Sequence, residues 1–92
     1  MWLLNDKLNT WAGTEGIDYT DAEVGIAHCF KWLVPKLMYG QCEIHTGMNA
    51  NKGQAFARVW YGFHTHYEEY AETPALALCL AIKNLITEEK KQ

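Results

Sequence analysis

Ninety-two residues, 49% hydrophobic and 21% charged, are enough for one domain with a single core, a chain of this size burying roughly 60–65% of its unfolded surface. A net charge of −3 with Arg58 as the sole arginine argues against the basic patch that direct nucleic-acid binding relies on, and better suits a basic protein partner or no charged partner at all. No apolar run reaches the ~18 residues of a membrane span, and Met1-Trp2-Leu3-Leu4 lacks the length and basic leader of a signal peptide, so the expected location is the cytoplasm.

The first predicted element is a short amphipathic helix over residues 1–12, with Leu4, Leu8 and Trp11 at helical spacing among the polar Asn5, Asp6, Lys7 and Asn9. Gly13 ends it and a loop runs to Asp18. Thr20-x-x-Glu23 then reads as a capping box, in which hydroxyl and carboxylate each satisfy an orphan amide of the first turn. Asp21 adds favourable charge against the helix dipole. The helix so opened is predicted over 20–38, with Val24, Ala27, Phe30, Val34 and Leu37 as its buried stripe, reinforced by Leu33 and Met38. Pro35 removes a donor and crowds the preceding turn, so this helix either stops near Leu33 or kinks and continues to Met38. Gly25 within it implies close packing, for which a tryptophan is one partner, and Gly40 is a natural stop.

Residues 41–71 alternate like three short strands. Strand one, Gln41–Met48, sets Cys42, Ile44, Thr46 and Met48 against Glu43 and His45. The turn-rich run Asn49–Gly53 makes a hairpin loop. Strand two, Gln54–Tyr61, alternates Phe56, Arg58 and Trp60 with Ala55, Ala57, Val59 and Tyr61, and apolar groups on both faces predict that both are partly covered. Gly62 permits a tight turn into strand three, His64–Ala71. Thr73-Pro74 supplies a cap and a first-turn proline for a last helix over 74–89, apolar nearly all round and therefore expected at the centre of the fold. The predicted class is α+β: a single domain of helix, three-stranded antiparallel sheet and helix, with a short extra helix at the start.

Cys29, Cys42 and Cys79 are odd in number and form no CxxC pair. Two fall in apolar helical stretches, where a free thiol behaves as a small buried hydrophobe, so reduced structural cysteines are expected. Glu68 and Glu69 point to opposite sides of a strand and cannot flank one substrate atom. No Ser-His-Asp or Cys-His signature, phosphate loop or dinucleotide fingerprint is present.

Trp60–Tyr70 is the most unusual stretch, with five aromatics, two histidines and two carboxylates in eleven residues. Aromatics of this kind anchor interfaces, and the candidate partner-binding set is Trp60, Tyr61, Phe63, His64, His66, Tyr67, Glu68, Tyr70 and Glu72. Parity sends Tyr67 and Tyr70 to opposite faces. His64 and His66 share a strand face about 6–7 Å apart, and with His45 they offer a weak alternative, a divalent-metal site.

Asp18-Tyr19-Thr20-Asp21 entering a Trp32-containing helix, three strands, and then Ala71-Glu72-Thr73-Pro74-Ala75-Leu76-Ala77-Leu78-Cys79-Leu80-Ala81 together resemble the phage ABA-sandwich family over about residues 18–87. The resemblance implies a phage or prophage origin and a small accessory role, and carries over no catalytic residue. By analogy of setting it implies an inhibitor or modulator of a host defence protein, of anti-CRISPR or similar type, in the cytoplasm of a bacterial host. The leading functional expectation is thus a non-enzymatic protein binder with no cofactor, contacting a host protein through the host's basic nucleic-acid-binding surface. A small-ligand or nucleotide-sequestering protein is the alternative. A metal-dependent enzyme using His64 and His66 comes after it. Self-association through a free strand edge is compatible with each.

Overall fold

In the computed structural model, residues 2–37, 41–49, 54–61 and 65–91 are described. Helix α1 spans Trp2–Ala12. It closes in a Schellman-type turn in which the Thr14 N–H donates to the Asn9 carbonyl at 2.9 Å, and Gly13, at φ +76°, supplies the left-handed residue. The sheet is antiparallel in the order β1-β2-β3, from Cys42–Asn49, Gln54–Tyr61 and Thr65–Ala71. Helix α3 runs Pro74–Lys91. Its start is capped as expected, with the Leu76 N–H donating to Thr73 Oγ1 at 3.2 Å. The small α+β arrangement matches the predicted class.

Helix α3 is central, as its all-round apolarity demands. It packs on β2 and β3 on one side and meets α1 and the second helical segment. Leu78, Ile82 and Leu85 are almost wholly buried in it, each stabilising the fold by about 1.5–3 kcal/mol. From the sheet, Ala55, Ala57, Val59 and Ala71 join the same core. Their small volumes let the helix lie close to the strands. Glu69 also belongs to this side, accepting a 2.8 Å bond from Asn84 of α3.

The second helical segment departs from expectation in three ways. Its cap is Asp21, not the Thr20/Glu23 box. Asp21 Oδ1 accepts from the Glu23 and Val24 amides at 2.8 and 3.0 Å, while the Thr20 hydroxyl turns back to Asp18 at 2.7 Å. A carboxylate one residue later wins because it holds both amides at once. Second, α2 is regular only over Gly25–His28. It then widens into a π-helical turn, Cys29–Leu33, and tightens into a 3-10 turn, Val34–Lys36. Pro35 lacks a donor for the regular ladder, so the chain changes its winding ahead of the proline rather than stopping at Leu33. Met38 and Gly40 lie outside the described residues.

Third, the buried stripe is Gly25, Cys29 and Leu33, with Val34 and Leu37. Val24 and Phe30, placed in the stripe by periodicity, are 52% and 49% exposed, and Ala27 is exposed as well. The helix is rotated because Gly25 must lie against the backbone of Tyr19 and the methyl of Ala75, where a β-carbon would collide. Tyr19 and Ala75 therefore stand where a tryptophan is one expectation from the sequence.

Candidate functional site

The sheet has two unlike faces, and the register decides which side chains share each. In β2, Arg58 stands opposite Glu43 of β1 and Glu68 of β3, Phe56 opposite His45 and Tyr70, and Trp60 opposite His66. Directly opposed residues of an antiparallel pair project to the same side. Glu43, His45, Phe56, Arg58, Trp60, His66, Glu68 and Tyr70 therefore form one face, turned away from α3. Among the described residues no helix packs on it. Both faces are expected to be partly covered, and on this one the cover comes from the face's own side chains, with Phe56 buried and Arg58 and Trp60 half-buried. The apolar groups of this side are screened by one another, since Phe56 is buried under ring contacts with His45 at 5.5 Å and Tyr70 at 5.0 Å between centroids.

A continuous charged chain crosses this face. Its links are His66 Nε2 to Glu68 Oε1 at 2.9 Å, Glu68 Oε1 to Arg58 Nη2 at 3.3 Å, Arg58 Nη1 to Glu43 Oε1 at 3.6 Å, and Glu43 Oε2 to His45 Nε2 at 3.3 Å. The Arg58 guanidinium also lies 5.3 Å from the Phe56 ring centre and 5.9 Å from that of Trp60. Its Nε is buried between these rings with no hydrogen-bond partner. Two carboxylates and two aromatic faces thus hold one cation in place, an arrangement that fits the planar, weakly hydrated guanidinium better than an ammonium.

Of the candidate partner-binding residues, Trp60, His66, Glu68 and Tyr70 come together on this face. Tyr67 does not, being paired with Val59 on the α3 side and half-buried against the core. Glu72 lies beyond the ladder, exposed in the bend before α3. Phe63 and His64 lie outside the described residues, as does the Tyr61 side chain. The residues that sequence reasoning passed over are Glu43, Phe56 and Arg58. Strand parity already separates Phe56, Arg58 and Trp60 from their neighbours, but only the register puts Glu43 and Glu68 on either side of Arg58.

Of the metal alternative, His64 lies outside the described residues, and His45 stands apart from His66. His45 and His66 are two strands and four ladder positions apart, about 16 Å from strand spacing and rise, too far to ligate one ion. Among the described residues no three His, Cys, Asp or Glu side chains cluster to hold a metal.

A second polar cluster ties α1 to the loop that follows it. Asn5 and Asn9 are buried. Asn5 donates to Asp18 at 2.8 Å and accepts from the Tyr19 amide at 2.9 Å. Asn9 donates to the Asn5 and Ile17 carbonyls and accepts from the Thr14 hydroxyl at 2.7 Å. The Tyr19 hydroxyl, 2.6 Å from Thr14, completes it. Bonds from Thr20 and then Asn5 hold the Asp18 carboxyl below its ordinary value, and burial pushes the Tyr19 phenol up. Every group here is satisfied by a neighbour, which makes this cluster structural.

No protein-family model, curated protein or solved structure matches the chain. No helix among the described residues is long and apolar enough to cross a membrane.

Proposed function

We propose that this protein is a non-enzymatic binding protein that docks a basic protein surface on the open face of its sheet. The supporting observation is the row Glu43–Arg58–Glu68, partly exposed among the described residues and flanked by Phe56, Trp60 and Tyr70. Aromatic and arginine side chains are the usual anchors of interfaces. Two carboxylates against one guanidinium leave the face net negative, in keeping with the −3 of the whole chain, and charge of that sign steers and selects a basic partner. In the setting implied by the resemblance, that partner is a bacterial host protein. The specific form of the proposal is a phage-borne modulator occupying the nucleic-acid-binding surface of a host defence protein.

The test is affinity capture from a bacterial lysate with the wild-type chain and with two variants, each checked for folding by circular dichroism. Trp60→Ala/Tyr70→Ala alters the open face, and Leu3→Ser alters the helical side, where Leu3 is 87% exposed. A protein retained by wild type and Leu3→Ser but lost by Trp60→Ala/Tyr70→Ala supports docking on the sheet. Equal retention by all three contradicts it.

A further inference from the structure

The second helical segment carries large apolar side chains in solvent. Val24, Phe30 and Trp32 are exposed, and apolar groups at helical spacing ordinarily mark a buried stripe. The winding is regular enough to fix where they point. The Gly25 N–H donates to the Asp21 carbonyl at 2.9 Å and the His28 N–H to that of Val24 at 3.2 Å, so the helix is already turning ahead of Gly25 and continues through the π turn to Leu33. Gly25, Cys29 and Leu33 are buried on the side that meets α3. Glu23, Ala27 and Lys31 are exposed on the opposite side.

Residues four apart are neighbours along a helix surface. Glu23, Ala27 and Lys31 therefore make one ridge, with a carboxylate at one end, a methyl in the middle and an ammonium at the other. Val24 and Trp32 stand at the two ends of the adjacent ridge. Among the described residues neither Glu23 nor Lys31 takes part in an ion pair, the Lys31 ammonium lying 5.0 Å from the ring centre of its neighbour Trp32.

This surface is complementary to itself. A two-fold axis near Ala27 sets a second copy antiparallel on the first. Glu23 of each copy then meets Lys31 of the other, and Val24 of each meets the other's Trp32. Ala27 on Ala27 lets the two backbones approach. A two-fold contact of this kind asks one patch to match only itself, and charge, bulk and small centre all satisfy that demand here.

We propose that the protein pairs with a second copy of itself through this ridge, in an antiparallel helix-on-helix contact centred on Ala27. The ridge points away from α3, so pairing leaves the open sheet face free and does not depend on the docking role proposed for it. Ten residues of helix span only about 15 Å, a smaller contact than the roughly 800 Å² per partner of a permanent interface, so the pairing is reversible and follows concentration.

Sedimentation velocity from low micromolar to near-millimolar protein, beside amide shifts followed on dilution, tests this. The expected result is a monomer–dimer equilibrium with dilution shifts confined to residues 23–32. Glu23→Lys turns two ion pairs of the dimer into like-charge contacts and is expected to weaken association about tenfold, as is Lys31→Glu. Glu23→Lys/Lys31→Glu restores both pairs in the opposite sense at unchanged net charge and is expected to recover wild-type association. Both positions are exposed, so the variants fold, which circular dichroism checks. A wild-type chain that stays monomeric throughout overturns the proposal. Dilution shifts along the β1 or β3 edge, or a double variant that associates no better than the single ones, overturn the ridge as the contact.

Discussion

The Sγ atoms of Cys29 and Cys79 lie 3.7 Å apart, and each thiol also lies within bonding distance of one carbonyl oxygen, that of Tyr19, at 3.6 and 3.4 Å. One turn earlier on each helix, the Ala75 methyl lies 3.2 Å from where a β-carbon on Gly25 would stand. The two helices therefore run side by side in the same direction, approaching closely over small residues. Tyr19 is wedged at their junction with its side chain fully buried. Contact with Cys29, followed by burial, pushes the Cys79 thiol far above its ordinary range, so it stays protonated and unreactive. Titration with a thiol reagent is expected to label half-buried Cys42 first, and Cys29 and Cys79 only at the rate of unfolding. Rapid labelling of three thiols in the native state contradicts this packing.

Gly25→Ala tests the same junction from the opposite side. A β-carbon at Gly25 runs into the Tyr19 carbonyl, which is backbone and cannot rotate away. Overpacking of this kind costs about 1–3 kcal/mol. The urea midpoint is expected to fall accordingly, with the slope unchanged. A midpoint equal to wild type would mean that Gly25 lies further from the Tyr19 backbone than described.

The Asn5 network gives a stability expectation and a pH expectation. Asn5→Ala leaves the buried Tyr19 amide without its acceptor and takes from Asp18 one of its donors, Thr20 keeping the others, a loss of about 1–3 kcal/mol for an unsatisfied buried group. Since the folded-state value of Asp18 is lowered from 3.8, its contribution is complete above that unfolded value and disappears as pH falls below it through the folded value. Urea midpoints measured from pH 6 down to pH 2 are expected to fall less steeply for Asp18→Asn than for wild type, and parallel curves contradict the assignment.

The rotation of the second helical segment shows how much of the fold is legible in the sequence. Strand limits, strand parity and the Thr73-Pro74 helix start follow from local signals, period two for strands and a hydroxyl before proline for the helix. The capping box and the Val24–Phe30 stripe do not form. Both patterns are locally valid, but the close approach of Gly25 to Tyr19 is a tertiary demand that turns the segment. Leu33→Ala is accordingly expected to cost about 2–5 kcal/mol, and Phe30→Ser less than about 0.5 kcal/mol, measured by urea unfolding. The reverse order would restore the stripe read from periodicity. On the candidate site, composition points to Trp60, His66, Glu68 and Tyr70, while Glu43 and Arg58 need the register, which no local pattern specifies.

Arg58 separates a stabilising role from a binding one. Its side chain is 30% exposed, with Glu43 and Glu68 at 42% and 35%, and ion pairs this open contribute about 0–1 kcal/mol. Arg58→Met is therefore expected to shift stability by less than about 1 kcal/mol while changing partner affinity at least tenfold, read by urea unfolding beside calorimetry with the captured protein. A large stability loss with unaltered binding would make the charged chain a structural feature only.

The most direct measurement is amide-shift mapping of the labelled chain in complex with its captured partner. Docking on the sheet requires the largest changes at Glu43, His45, Phe56, Arg58, Trp60, His66, Glu68 and Tyr70, with α1 and α3 nearly still. Changes centred instead on the exposed Val24, Phe30 and Trp32, with the sheet unperturbed, would place the interface on the helical side and contradict docking on the sheet.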